Sequence, residues 1–197
     1  MKEILLATKN PHKLLEFSQA LKPFGYHCVS LEDIGFTDEI IEDGTTFFDN
    51  AYIKAKTIAL KYNKITLADD SGLVVIALPE ELGVKSKRFS KSATDSDNNT
   101  LLLKRLKDVS DRSAYFVSQI VIYYPDGKFY TYQGRVYGHI AEEIKGINGF
   151  GYDPLFEIED LNRRMAELSR EEKNMVSHRG NAIRKLVKDL KNEVITL

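Results

Sequence analysis

Within its first thirty residues the chain commits itself to one fold class. Lys2 to Thr8 reads as a short buried strand. Asn10 is a good helix N-cap, and Pro11 takes the first helical position, where its missing N–H costs nothing. Leu14, Phe17 and Leu21 then recur at helical spacing. Pro23 and Gly25 stop that helix, and Tyr26 to Ser30 reads as a second strand. Strand, short loop, helix, strand is the opening of an α/β sheet. The loop carries Thr8, Lys9, Asn10, Pro11, His12 and Lys13. A helix start that follows a strand offers N–H groups to an anion, and Lys13 can add charge. A plain capped helix with solvated lysines accounts for the same residues, and the loop lacks the glycines of a Walker motif.

The stretch Ile65 to Val75 carries the most unusual chemistry of the chain. Ile65 to Ala68 and Leu73 to Val75 read as two short strands, with Asp69, Asp70 and Ser71 at the tip of a tight turn that Gly72 permits. Carboxylates at the end of an apolar strand cost desolvation unless a cation meets them, and hard oxygen ligands suit Mg²⁺. A solvated turn explains these residues equally well at this point. Upstream, Glu39 to Gly44 is acidic, and Thr46 with Asp49 resembles a capping box. Phe47, Ala51, Ala55, Ile58 and Tyr62 then trace one helical face. Asn50 and Lys54 project from one side of this helix. The short return through Tyr62-Asn63-Lys64 puts Lys54 within reach of the Asp69-Asp70 turn; the alternative is one more surface lysine beside Lys56, Lys61 and Lys64.

Ala77 to Asp97 is expected to be irregular, mobile and polar, and Asp97 to Leu106 helical. Tyr115 to Tyr124 and Lys128 to Tyr137 are β-rich runs joined by the hairpin signal Pro125-Asp126-Gly127. They are expected to extend the sheet antiparallel, into a second lobe. In Gly146 to Pro154, glycines flank Phe150, which lets backbone approach a ligand and leaves the side chain able to stack on a flat ring; a glycine-rich turn with a core aromatic is the alternative, though it leaves the crowding of Gly, Phe, Tyr and Asp unexplained. Ser177 reads as the N-cap of a last helix whose apolar face is Ile183, Leu186, Val187 and Leu190. His178 and Arg179 fall in its first turn, where cations oppose the helix dipole by roughly 0.3–1 kcal/mol each. Such a placement suggests a ligand.

Bulk properties exclude several classes. A net charge of −1 over 197 residues argues against a nucleic-acid partner held by gross charge. The single cysteine, Cys28, rules out an internal disulfide and fits a reducing compartment. The apolar run at the N-terminus is too short for a signal peptide, and none approaches the ~20 residues of a membrane span. The expectation is a cytoplasmic protein with no membrane partner.

Taken in order, these pieces resemble the non-canonical purine NTP pyrophosphatases, the inosine triphosphate pyrophosphatase-like enzymes. The matching segments are Ala7-Thr8-Lys9-Asn10 with Lys13 and Glu16; Glu42, Gly44, Thr46-Phe47, Asn50-Ala51 and Lys54-Ala55; and Ala68-Asp69-Asp70-Ser71-Gly72-Leu73. Downstream they are Gly149-Phe150-Gly151-Tyr152-Asp153-Pro154, Ala166-Glu167-Leu168, Lys173-Asn174 and Ser177-His178-Arg179. The resemblance implies an α/β domain over residues 1–197 with two lobes, an elongated mixed sheet flanked by helices, and an active site in the cleft between lobes. It implies a homodimer and Mg²⁺-dependent hydrolysis of ITP, dITP and XTP to monophosphate and pyrophosphate. Glu42 and Asp70 would hold Mg²⁺, and Asp70 would also accept the proton of the attacking water. Thr8 to Lys13 and Lys54 would hold the phosphates, with Ser71 contacting substrate near Asp70. Phe150, Gly151, Tyr152, Asp153, Lys173, His178 and Arg179 would form the nucleoside pocket. The chain departs from the family pattern at Ile76, Glu80, Leu82-Gly83, Lys87-Arg88-Phe89, Ile144 and Asp49. Several of these changes border the cleft and bear on rate and selectivity. A nucleotide-binding module with little or no turnover, or a different phosphohydrolase releasing orthophosphate, are the competing readings.

Overall fold

The computed structural model describes residues 1–197. Strand β1 (Lys2–Leu6) leads into α1 (Pro11–Leu21), β2 (Tyr26–Ser30), α2 (Phe47–Tyr62) and β3 (Thr66–Val75). Then follow α3 (Asp95–Arg105), β4 (Ser113–Tyr123), β5 (Phe129–Ile140), β6 (Phe156–Ile158), β7 (Arg163–Arg164), α4 (Arg170–Val176) and α5 (His178–Lys191). The strands form one mixed sheet in the order β2-β1-β3-β4-β5-β6-β7. β1 runs parallel to β2 and β3, while β6 is antiparallel to β5 and β7.

The chain divides into two units. Unit 1 is Met1–Asp70, Ser118–Gly134 and Gly180–Leu197; unit 2 is Ser71–Val117 and Arg135–Arg179. In unit 1 the period-two alternation of the strands feeds two cores, one on each face of the sheet. Ile4, Leu6, Leu67, Ile120 and Ile122 pack with Phe17 and Leu21 of α1 and Ala182, Ile183 and Leu186 of α5. Leu5, Ala7, Ala68, Val121 and Tyr123 pack instead with Ala51, Ala55, Ile58 and Ala59 of α2. In unit 2 a third core joins Leu73 and Val75 of β3, Phe116 of β4, Val136 and Ile140 of β5, Leu102 of α3, and Tyr152, Phe156, Met165 and Leu168.

Local signals set many of the boundaries. Asn10 caps α1 by accepting the His12 N–H, with Pro11 at its first position. Thr46 and Asp49 close a reciprocal capping box at the start of α2. The β4–β5 turn closes through Gly127, which donates to the Tyr124 carbonyl at 2.9 Å and sits at φ +94°, a region that favours glycine.

Two expectations are corrected. Thr66 to Val75 is one continuous ten-residue strand, so Asp69, Asp70, Ser71 and Gly72 lie along β3 and form no turn. The segment expected to be irregular contains a 3₁₀ helix, Gly83–Arg88, with Leu82 and Ser86 buried, and α3 begins at Asp95. A further helix, α4, not expected from the sequence, precedes the last one; Ser177 is its C-cap and stands directly before α5, at the N-cap position expected of it.

Candidate active site

Continuity of β3 decides what its two adjacent aspartates do. Successive side chains on a strand point to opposite faces. Asp69 therefore shares the face of Leu67 and meets α1: Lys13 Nζ lies 2.8 Å from its Oδ2, and the Ser118 hydroxyl donates to Oδ1. Asp70 shares the face of Ala68 and meets α2: Lys54 Nζ lies 3.1 Å from its Oδ1. The backbone carbonyl of Asp69 accepts from both lysines, at 2.9 Å from Lys13 and 3.3 Å from Lys54. An exposed aspartate pair sharing one cation is thus replaced by two separate ion pairs on two faces. Ser118 was not singled out from the sequence. Its one signal is a hydroxyl inside the apolar run of β4.

On the α2 face a second carboxylate converges. Glu42 Oε2 lies 2.7 Å from Lys54 Nζ. The segment bearing Glu42 is tied to the helix by Asn50, whose side-chain oxygen accepts the Gly44 N–H at 2.9 Å. Asn50 and Lys54 are both buried, on the face that the four-residue spacing assigns them. Burial pushes the Asp70 carboxyl above the ordinary carboxylate range, against the opposing pull of Lys54 and Lys13 and with the Asp69 carboxylate adding to the rise. Lys54 is raised too: burial works against its charge, but Asp70 and Glu42 outweigh it. Two carboxylates aimed at one cation are a donor set that fits Mg²⁺, which commonly takes one or two carboxylates and fills its remaining positions with water and substrate phosphates. No group of three or more His, Cys, Asp or Glu side chains able to hold a metal stands anywhere in the structure, so these two carboxylates would leave most of the coordination shell to water and phosphate oxygens.

The loop before α1 spends part of its donor capacity internally. Asn10 N–H donates to the Thr8 hydroxyl at 3.1 Å, and His12 N–H to the Asn10 side chain at 2.9 Å. Lys9, Pro11 and His12 are exposed, and Thr8, Asn10 and Lys13 half-buried.

In unit 2 the loop 146–154 is built by its glycines. Gly149 has φ +79°, and a Cβ there would fall 2.0 Å from Asp153 Oδ2. That oxygen accepts the Phe150 N–H at 2.8 Å and the Lys173 ammonium at 2.5 Å. The same ammonium sits 4.5 Å from the centroid of the Phe150 ring, a cation–π contact. Tyr152 is buried and donates its hydroxyl to the Ser86 carbonyl at 2.5 Å. His178 and Arg179 are buried as well, so neither side chain at the start of α5 lies on a solvated face. His178 stacks on Phe116 with ring centroids 4.9 Å apart and an interplanar angle of 15°. Arg179 donates to the Ser71 hydroxyl at 2.9 Å. Phe150, Gly151, Asp153 and Lys173 are thereby brought together in one loop system, and Ser71 with Arg179 in another contact of the same unit.

Comparison with known proteins gives a consistent result. The Ham1 family matches residues 4–189. A dITP/XTP pyrophosphatase of Bacillus licheniformis is 49% identical over 189 residues, covering 94% of this chain and 96% of that one. The solved Ham1 proteins of Staphylococcus aureus and Coxiella burnetii superpose with TM-scores of 0.89 and 0.90. Each is 39% identical and covers 98% of this chain and 100% of its own.

Proposed function

The chain belongs to the Ham1 family, and from that premise we propose that it hydrolyses the non-canonical purine nucleoside triphosphates ITP, dITP and XTP to the monophosphate and pyrophosphate. Residues 1–197 act as one nucleotide pyrophosphatase domain. The observation that carries the reading is the convergence of Glu42 and Asp70 on one buried cation, at 2.7 and 3.1 Å.

Cleavage between the α and β phosphates requires charge neutralisation, an oriented water and a stabilised leaving group. Mg²⁺, held by Glu42 and Asp70 when bound, supplies Lewis-acid stabilisation of the phosphate oxygens. Asp70 orients the attacking water and accepts its proton as oxygen bonds to the α-phosphorus and pyrophosphate departs. In the metal-free protein burial holds its carboxyl above the ordinary aspartate range; with the metal bound, orientation of the water and the metal's charge would do most of the activation. Lys54, Lys13 and the Thr8–Lys13 backbone, including Lys9, Asn10, Pro11 and His12, hold the phosphate oxygens. Ser71 contacts the substrate beside Asp70. Phe150 stacks on the base, Gly151, Tyr152 and Asp153 shape its surroundings, and Lys173, His178 and Arg179 donate to it. Hypoxanthine and xanthine carry a 6-oxo acceptor where adenine carries an amino donor; Arg179, with donors only, satisfies the first.

The protein acts as a homodimer on the cytoplasmic nucleotide pool, with neither nucleic acid nor a membrane as partner. The net charge of −1 speaks against a nucleic-acid partner held by gross charge, and no helix is long and apolar enough to cross a membrane. A nucleotide panel with Mg²⁺, scored separately for pyrophosphate and orthophosphate, tests the reaction. Pyrophosphate from ITP, dITP and XTP, with little from ATP, is the expected outcome. Its loss in Asp70→Asn would support the role of Asp70, and near wild-type turnover in that variant would overturn it.

A further inference from the structure

Loop 149–153 is held from outside by a helix with no assigned part in the reaction. We propose that Asp95 and Asn99 of α3 are positioning residues for base recognition, which fix the Gly151 peptide and with it the place of the Phe150 ring. The proposal rests on the reading of Phe150–Asp153 as the base-binding loop.

Asp95 and Asn99 stand four residues apart and so share a face of α3. Asp95 Oδ2 accepts the Gly151 N–H at 2.6 Å, and Asn99 Nδ2 donates to the Gly151 carbonyl at 2.8 Å. The two polar groups of one residue are thus gripped by adjacent turns of one helix. Gly151 has φ +64°, yet an added Cβ would meet nothing within 4 Å. Glycine is needed here for conformation and not for close packing, so the loop's path depends on what holds it. On either side, Asp153 pins the Phe150 N–H and Tyr152 is anchored on Ser86. The α3 grip is the third pin, and it acts on the residue directly after the stacking ring.

Stability does not account for Asn99. It is buried, and its Oδ1 has no hydrogen-bond partner. Burying an unsatisfied amide oxygen is costly, and an apolar side chain of similar size would fold at less cost. Its neighbour Asn98 provides the contrast. There the side-chain oxygen accepts the Ser90 N–H at 2.7 Å and the amide donates to the Lys87 carbonyl at 3.1 Å. Asn98 is a fully engaged structural residue, whereas Asn99 uses its amide nitrogen on the loop alone.

The test is steady-state kinetics on ITP and ATP, with melting temperatures, for Asp95→Ala, Asp95→Asn, Asn99→Leu, Asp97→Ala and Phe150→Ala. Asp95→Ala and Asn99→Leu should each raise KM for ITP about 3- to 10-fold, the worth of one hydrogen bond, with kcat within about twofold. kcat/KM for ATP should fall by a similar factor, because a stacking ring accepts either purine. Asp95→Asn should restore KM, because its amide oxygen can accept the same bond, and Asn99→Leu should not lower the melting temperature. Asp97 lies in the same helical turn and accepts from Ser92 and not from the loop. Asp97→Ala should therefore leave KM unchanged, and an equal rise there would reduce the effect to helix stability and overturn the proposal. An unchanged KM in Asp95→Ala and Asn99→Leu, beside a raised one in Phe150→Ala, would refute the α3 grip and leave the base loop standing. An unchanged KM in all three would remove the base-loop reading and the proposal together.

Discussion

In β3 a side chain changes face at every residue, so Asp69 and Asp70 are neighbours in sequence and strangers in environment. Asp69 is sealed with Lys13 and Ser118, and its side chain is 1% exposed. Removing one partner of a buried ion pair leaves the other charge uncompensated, at a cost of about 3–5 kcal/mol. Asp69→Asn should accordingly lose much of the protein's thermal stability. Asp70 is the reverse case: burial already disfavours its charge, so neutralising it should leave stability unchanged or improved. The pH dependence carries the same sign. A carboxyl whose pKa is raised on folding binds its proton more tightly in the native state than in the unfolded chain. Stability contributed that way is fully present below the unfolded pKa of about 3.9 and is lost as pH climbs through the folded value. Melting curves in the absence of divalent metal, from about pH 4 to 7, should show Asp70→Asn gaining on the wild type as pH rises. A parallel pair of curves would mean that Asp70 titrates as an ordinary surface carboxylate.

At the scale of the element, α2 delivers both its own lysine and the acidic segment before it. Gly44 lies where that segment meets the helix, and a Cβ there would fall 2.4 Å from Asp49 Cβ and 2.7 Å from Asn50 Oδ1. Gly44→Ala must push the segment away, at about 1–3 kcal/mol for the overpacking. Glu42 moves with it, so the Mg²⁺ concentration for half-maximal turnover should rise. Thr46→Ala, which loses a cap worth about 0.5–2 kcal/mol but leaves the Gly44–Asn50 bond, is the control and should not shift it. Equal metal dependence in the two variants would detach Glu42 from the metal. The same elements show what a sequence can disclose. The N-cap at Asn10, the box at Thr46 and Asp49, and the Asn50–Lys54 face are local, with their physics inside one or two turns, and they were legible. The path of β3 was not. Asp, Ser and Gly are poor strand residues and good turn residues. Their extended path goes with β3's place between β1 and β4 in the sheet, and the two aspartates meet a lysine 56 positions away and another 16 positions away. α4 left a readable mark, the Ser169–Glu172 capping box, but seven residues give too little apolar periodicity to announce a helix. The residues of loop 149–153 stood out by their crowding, while the grip of Asp95 and Asn99 is a contact across more than fifty positions that no local pattern encodes.

Across the whole molecule, charge decides how a polyanion can be taken up. The chain carries a net charge of −1, so it offers no general field to draw a triphosphate in. The groups proposed for the site do not supply one either. Lys13 is paired with Asp69, Lys54 with Glu42 and Asp70, and Lys173 with Asp153, while Arg179 faces a neutral hydroxyl. In unit 1 Lys13 and Lys54 thus stand against three carboxylates, with the exposed Lys9 adding one positive charge, and in unit 2 Lys173 is matched by Asp153, so neither set carries an excess of positive charge through its ion pairs. A nucleoside triphosphate arriving without its metal would gain little there and would meet Glu42 and Asp70 as repulsive charges. A magnesium complex brings the missing positive charge itself and gives those two carboxylates a partner. Two consequences separate this arrangement from a site that works by basic attraction. Raising monovalent salt from about 50 to 200 mM should change KM for the magnesium complex of ITP by less than about twofold, because little long-range attraction exists to be screened. Chelating the divalent metal should abolish turnover and also weaken binding of ITP itself, measured by calorimetry, by about tenfold or more, the scale of a single lost charge–charge contact in a partly buried site. A steep salt dependence of KM, together with tight metal-free binding, would mean that the lysines leave their carboxylates to bind phosphate and that the charge balance of the free protein does not govern uptake.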